Sequence, residues 1–142
     1  MNIQEVEQQI IEEFDLFEDW MDKYNYIIEL GKELPLIDPK YKTQQYLIVG
    51  CQSQVWLYAS YENGIITFTA DSDAIITKGI VNLLIRVLSG RTPKEIMEAP
   101  LNYLDQIGIK NHLSPTRSNG LASMIKQMKM YAIAFDLKKE TE

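Results

Sequence analysis

The chain predicts an α+β fold, with helices first, a small antiparallel sheet of three strands next, and helices again after it. Three observations carry this. Apolar residues recur at helical spacing near the amino end and again beyond residue 74. The stretch 46–69 changes to β-branched and aromatic runs. Asn63-Gly64 then divides two of those runs, the strongest short hairpin signal, because a type I′ turn needs positive φ at both central residues.

The elements follow in order. Ile3, Val6, Ile10, Phe14 and Phe17 line one face of a first helix, with glutamates and glutamines between them. Tyr24, Ile27 and Ile28 belong to a second, short helix, which Gly31 is placed to end; Pro35 and Pro39 mark an irregular connection. Residues 46–49 are the first expected strand and lead into Gly50 and Cys51; residues 55–61 are the second and 65–69 the third. Asp71 or Ser72 is expected to cap the next helix, whose apolar face is Ile76, Ile80, Leu83, Leu84 and Val87. Thr92-Pro93-Lys94-Glu95 reads as a capping box with proline at the first helical position, and Leu101, Leu104 and Ile107 as another short helix. Ser114-Pro115 opens the last helix, with a stripe of Leu121, Ile125, Met128, Ala132 and Phe135. Gly79 and Gly120 fall inside helical patterns, where glycine costs about 1 kcal/mol relative to alanine. Close packing of another element is expected at both.

With 142 residues, 46% of them hydrophobic, the chain suits one folded domain spanning 1–142. A net charge of -6, concentrated toward the amino end, repels phosphate backbones, so nucleic acid is not an expected partner. The start lacks the basic and apolar regions of a signal peptide. The longest apolar run, 80–88, is interrupted by Asn82 and Arg86 and is too short to span a bilayer. A single cysteine makes no internal disulfide and fits a reducing compartment, so a cytoplasmic location is expected, with no membrane attachment.

Little in the sequence is equipped for chemistry. A zinc or iron–sulfur site needs clustered cysteine or histidine ligands, and the chain has one of each, Cys51 and His112. Asp71-Ser72-Asp73 lacks the remaining ligands of a calcium loop and reads as a helix cap. No glycine-rich phosphate loop follows a strand, so no resident cofactor is expected. Cys51 remains, and two readings stand beside each other. A lone cysteine is commonly a small buried hydrophobe. Here, however, Gly50 permits a tight backbone path and Gln52 and Ser53 are polar, which places the thiol on a loop presented by a sheet, where reactive groups tend to occur. No cation adjoins Cys51 in sequence, so His112 and Arg117 are the candidates to assist it from elsewhere in the fold. Arg117 falls in the first turn of the last helix, where a cation opposes the helix dipole. Either it and that helix terminus hold an anionic sulfur, or it serves an ordinary salt bridge to a glutamate or contacts a helix C-terminus.

At this point the residues become familiar. Val49-Gly50-Cys51-Gln52-Ser53-Gln54-Val55-Trp56 resembles the signature of the SufE-like cysteine desulfuration proteins. Asp71-Ser72-Asp73-Ala74 followed by Gly79, Leu113-Ser114-Pro115-Thr116-Arg117 followed by Gly120-Leu121, and the helix around Tyr26-Ile27-Ile28-Glu29-Leu30-Gly31 are similar to further family segments, in family order. The resemblance implies the fold shared with IscU-type iron–sulfur scaffolds. It implies as partner a SufS-type cysteine desulfurase, an enzyme that uses pyridoxal phosphate, and as sulfur recipient an iron–sulfur cluster assembly scaffold. Cys51 is then the persulfide acceptor of a non-enzymatic accessory protein that stimulates the desulfurase. Shielding of that sulfur leads us to expect Cys51 on an apolar underside of its loop, swinging out to meet the partner. Whether the free chain is a monomer or a homodimer stays open. Two other readings compete: a thiol hydrolase using Cys51 and His112, which must then lie within hydrogen-bond reach, and an adaptor with an inert cysteine.

Overall fold

The computed structural model describes residues 1–141. Its helices are α1 (Ile3–Asp15), α2 (Trp20–Lys32), α3 (Ile75–Leu88), α4 (Pro93–Glu98), α5 (Tyr103–Gln106) and α6 (Pro115–Thr141), and its strands β1 (Val55–Glu62) and β2 (Ile65–Ser72). The α3 sequence, IITKGIVNLLIRVL, is apolar nearly all round, and such a helix must be covered on every side. It is: α2, β2, α1 and α6 all pack against it.

The closest approach is between α2 and α3, and glycine makes it. A Cβ at Gly79 would lie 1.9 Å from the Ile27 carbonyl oxygen, and one at Gly31 would lie 2.9 Å from the Gly79 nitrogen. The close packing expected at Gly79 is therefore present. Gly31, expected to end the second helix, instead sits inside α2 as the other half of this contact, and the helix runs on to Lys32. Buried Asn82 adds a hydrogen bond of 2.7 Å to the Leu30 carbonyl, satisfying an acceptor at the carboxyl end of α2. The Arg86 guanidinium makes two bonds of 2.7 Å to the Glu13 carboxylate, tying α3 to α1.

β1 and β2 form the expected hairpin, with Asn63 and Gly64 at φ 53° and 79°. Val55, Leu57 and Ala59 of β1 and Ile66, Phe68 and Ala70 of β2 face the core; Trp56 and Tyr58 face outward, where Tyr41 stacks on Tyr58 at 3.9 Å. The third strand is not there. Residues 44–46 curl into a 3-10 turn, and Gly50 bends the chain immediately afterwards, so only Leu47 and Ile48 are free to pair. They do so through a single bridge between Leu47 and Trp56 and one hydrogen bond of 2.8 Å from the Ile48 N–H to the Val55 carbonyl. The sheet is two-stranded.

The helix cap expected at Asp71 or Ser72 also fails. Both residues continue β2, and Ala74 is the capping position of α3. The Asp71 carboxylate pairs with Lys42 and Lys78, and the Ser72 hydroxyl spans between the Gln54 carbonyl and the Ala74 N–H. The capping box at Thr92 and Glu95 forms as expected. On α6 the buried stripe is Leu121, Met124, Met128 and Ala132, with Ile125 and Phe135 half-buried beside it. Among the described residues no helix is long and apolar enough to cross a membrane.

Gly79→Ala is expected to lower unfolding stability by about 3 kcal/mol, because the backbone of Ile27 must move to admit the methyl group. Urea unfolding followed by circular dichroism checks this; a change within experimental error would show that the α2–α3 contact is not tight.

Candidate functional site

Cys51 lies in the loop between Ile48 and β1, and the sequence bends there for two reasons. Gly50 has φ 99°, a left-handed backbone that favours glycine. A Cβ at Gly50 would also stand 2.4 Å from the Ser123 hydroxyl of α6, so the loop backbone rests on that helix without a side chain between. The Cys51 Sγ then falls one helical turn away, donating a weak hydrogen bond of 3.6 Å to the Gly120 carbonyl. Gly120 is placed opposite the thiol, and a Cβ there would make an ordinary 3.6 Å contact with the sulfur.

Little else holds this loop. Among the described residues, 49–53 make no well-aligned backbone–backbone hydrogen bond, Val49 and Gly50 forming only a loose turn; the ladder ends at Ile48 and resumes where the Asp73 N–H reaches the Gln54 carbonyl at 3.3 Å. Val49, two residues before the cysteine, is 91% exposed. A segment with few hydrogen bonds and one anchoring face is the kind that opens locally at low cost.

The thiol is half-buried and packs on the apolar core. That burial pushes its pKa up from the ordinary thiol value, because desolvation disfavours the thiolate. Cys51 therefore packs against the core beneath its loop, in surroundings that favour the protonated thiol.

Cys51, Gln52 and Ser53 form one wall of a cavity of about 380 Å³. Arg117, Gly120 and Met124, spaced three and four residues apart on α6, form the second wall, and Thr77 and Ile80 of α3 the third. Arg117 is thus brought to the site. Its guanidinium makes no ion pair among the described residues, so the ordinary salt bridge that would explain a cation in the first turn of α6 is absent. Its backbone N–H donates to the Ser114 hydroxyl at 3.2 Å, the expected cap of this helix.

His112 is not brought to the site. Its ring stacks on Trp20 at 3.9 Å, its Nδ1 meets the Gly108 carbonyl at 3.0 Å, and its own carbonyl accepts the Tyr24 hydroxyl. It fastens the loop before α6 to α2 and is not among the residues lining the Cys51 cavity. The pairing of Cys51 with His112 that a hydrolase needs is missing, and that reading falls. Sequence reasoning overlooked Thr77 and Ser123. Thr77 was detectable as a polar residue at helical spacing from Ile80 and Leu84; Ser123 carried no signal, since only the approach of Gly50 gives it meaning.

Comparison with known proteins identifies the family of the chain. A family model described as the SufE, Fe-S metabolism associated domain matches residues 8–132. The chain belongs to the SufE family. It is 40% identical over 129 residues to an uncharacterized SufE-like protein of Rhizobium meliloti, covering 87% of this chain and 92% of that one. It is 35% identical over 136 residues to SufE-like protein 1, chloroplastic/mitochondrial, of Arabidopsis thaliana, covering 95% of this chain and 37% of the longer plant protein. The solution structure of a hypothetical protein from Thermus thermophilus superposes with a TM-score of 0.74 over 91% of this chain and 94% of its own, at 19% identity, which establishes a shared fold. A SufE-family protein is associated with Fe–S metabolism, and the α+β fold inferred from sequence stands apart from its third strand.

The alkylation rate of Cys51 by iodoacetamide is expected to rise with pH through a midpoint above that of an ordinary thiol, since the folded state stabilises the protonated form. Gly50→Ala, which cannot seat the loop on Ser123, is expected to bring the midpoint back toward the free-thiol value. Equal midpoints in both proteins would contradict the shielding.

Proposed function

We propose that this SufE-family protein accepts sulfur on Cys51 from a SufS-type, pyridoxal phosphate-dependent cysteine desulfurase and passes it to an iron–sulfur cluster assembly scaffold. The observation that carries this reading is a solitary thiol, shielded on a weakly held loop and sharing a cavity with Arg117, which has no ion-pair partner among the described residues. Persulfide transfer asks for little more. The Cys51 thiolate attacks the terminal sulfur of the desulfurase's persulfide, a bond forms between the two sulfurs, and the desulfurase cysteine leaves as thiolate. No oxidant, metal or general acid–base dyad enters the balance.

Docking supplies the activation. Burial keeps Cys51 protonated and slow toward stray electrophiles; lifting the loop off α6 removes that burial and restores an ordinary thiol at the moment of transfer. The exposed Val49 beside Cys51 makes the loop a docking surface to set beside the acidic α1, whose end carries the exposed Leu16. Arg117 is the cation best placed to attract the persulfide anion once it has formed. A reducing compartment such as the cytoplasm keeps the lone thiol available. The protein acts as an accessory of the desulfurase, whose turnover rises because Cys51 removes the product sulfur.

The test is desulfurase turnover on free cysteine with and without this protein. Wild type is expected to accelerate it and Cys51→Ser to leave it at the unassisted rate. Full stimulation by Cys51→Ser would overturn the carrier reading and leave an adaptor with an inert cysteine.

A further inference from the structure

The cavity over Cys51 carries more polar wall than a parked thiol requires. Thr77 is only 6% exposed, yet its hydroxyl makes no hydrogen bond among the described residues. Among the described residues no side-chain polar atom is both sealed from solvent and unpartnered, so the Thr77 oxygen opens into the cavity it lines. Buried hydroxyls are almost always partnered, and Thr77, in the first turn of α3, has no helical carbonyl four residues before it to take its proton. One that instead faces a cavity is available to a ligand.

The charge of the walls says which kind. Among the described residues Arg117 has no acidic partner and no carboxylate lines the cavity. The cavity therefore favours an anionic group over a cationic one. Ile80 and Met124 add an apolar floor, and Cys51 stands at one end. A volume of about 380 Å³ is near the lower end for small-molecule sites and far above the roughly 30 Å³ of one water.

We propose that the cavity is a subsite for a small thiol bearing a carboxylate, which binds through Arg117 and the Thr77 hydroxyl and draws sulfur from Cys51. The inference rests on the carrier reading above, and it adds a free low-molecular-weight acceptor to the protein recipient. The thiolate attacks the outer sulfur of the Cys51 persulfide. A bond forms between the incoming sulfur and that outer sulfur, the sulfur–sulfur bond to Cys51 breaks, and Cys51 leaves as thiolate and regains a proton from water. The small molecule departs as its persulfide, with no net oxidation.

The test uses the full chain loaded with sulfur by the desulfurase and repurified. Its discharge by mercaptopropionate and by cysteamine, similar thiols of opposite end charge, is followed by intact mass. Each thiol has its own intrinsic reactivity, so the readout is the ratio of the two rates in wild type against that in Arg117→Ala. The ratio is expected to fall about tenfold in Arg117→Ala, as for loss of one charge-assisted hydrogen bond, to recover in part in Arg117→Lys, and to fall in Thr77→Val. A ratio unchanged by Arg117→Ala overturns the subsite and leaves the carrier reading standing. Failure of Cys51 to load at all overturns the carrier reading. The pocket is then judged on the unloaded protein by alkylation with iodoacetate against iodoacetamide. A ratio lowered about tenfold by Arg117→Ala supports an anion subsite, and an unchanged ratio overturns it.

Discussion

Gly50 turns the chain through a left-handed backbone and brings it against Ser123, and the position of Cys51 follows from that turn and contact. With the loop seated on α6, the thiol meets the Gly120 carbonyl and the apolar core instead of solvent. Gly50, which supplies the left-handed turn, thus sets the resting state of the cysteine. Gly120 does not, since a Cβ there would only touch the sulfur at an ordinary 3.6 Å and the close packing expected of that glycine is absent.

The contrast between platform and loop gives the arrangement its direction. α3 is clamped to α2 by the Gly31–Gly79 contact and to α1 by the Arg86–Glu13 pair, and it supplies Thr77 and Ile80 to the cavity wall. The Cys51 loop has one weak sulfur hydrogen bond and its packing on α6. A partner that competes for the loop displaces little, whereas the α3 wall that carries Thr77 and Ile80 stays in place. Shielding and reactivity are then successive states of one residue, separated by a small local opening.

Much of this was legible in the sequence, and the failures have local causes. Asn63-Gly64 located the hairpin because few residues tolerate that backbone, and Thr92 with Glu95 located α4 because a capping box is a pair of specific bonds. Gly79 was recognised as a packing site from its cost inside a helix. Gly31 was not, since a glycine near a helix end also reads as a stop; its partner across the interface decides between the two. The third strand was misjudged because β propensity in residues 46–49 says nothing of the turns that confine it on both sides. Cys51 and Arg117 could be named from the chain alone, and only the fold could show that Arg117 reaches the cavity while His112 stacks on Trp20.

The most direct measurement is the intact mass of this protein after incubation with a SufS-type desulfurase and free cysteine, with peptide mapping of any adduct. The account predicts a gain of the mass of one sulfur atom, located on the peptide that contains Cys51 and lost on treatment with a reducing thiol. An unchanged mass in the presence of a demonstrably active desulfurase, or sulfur located on any other peptide, would contradict it.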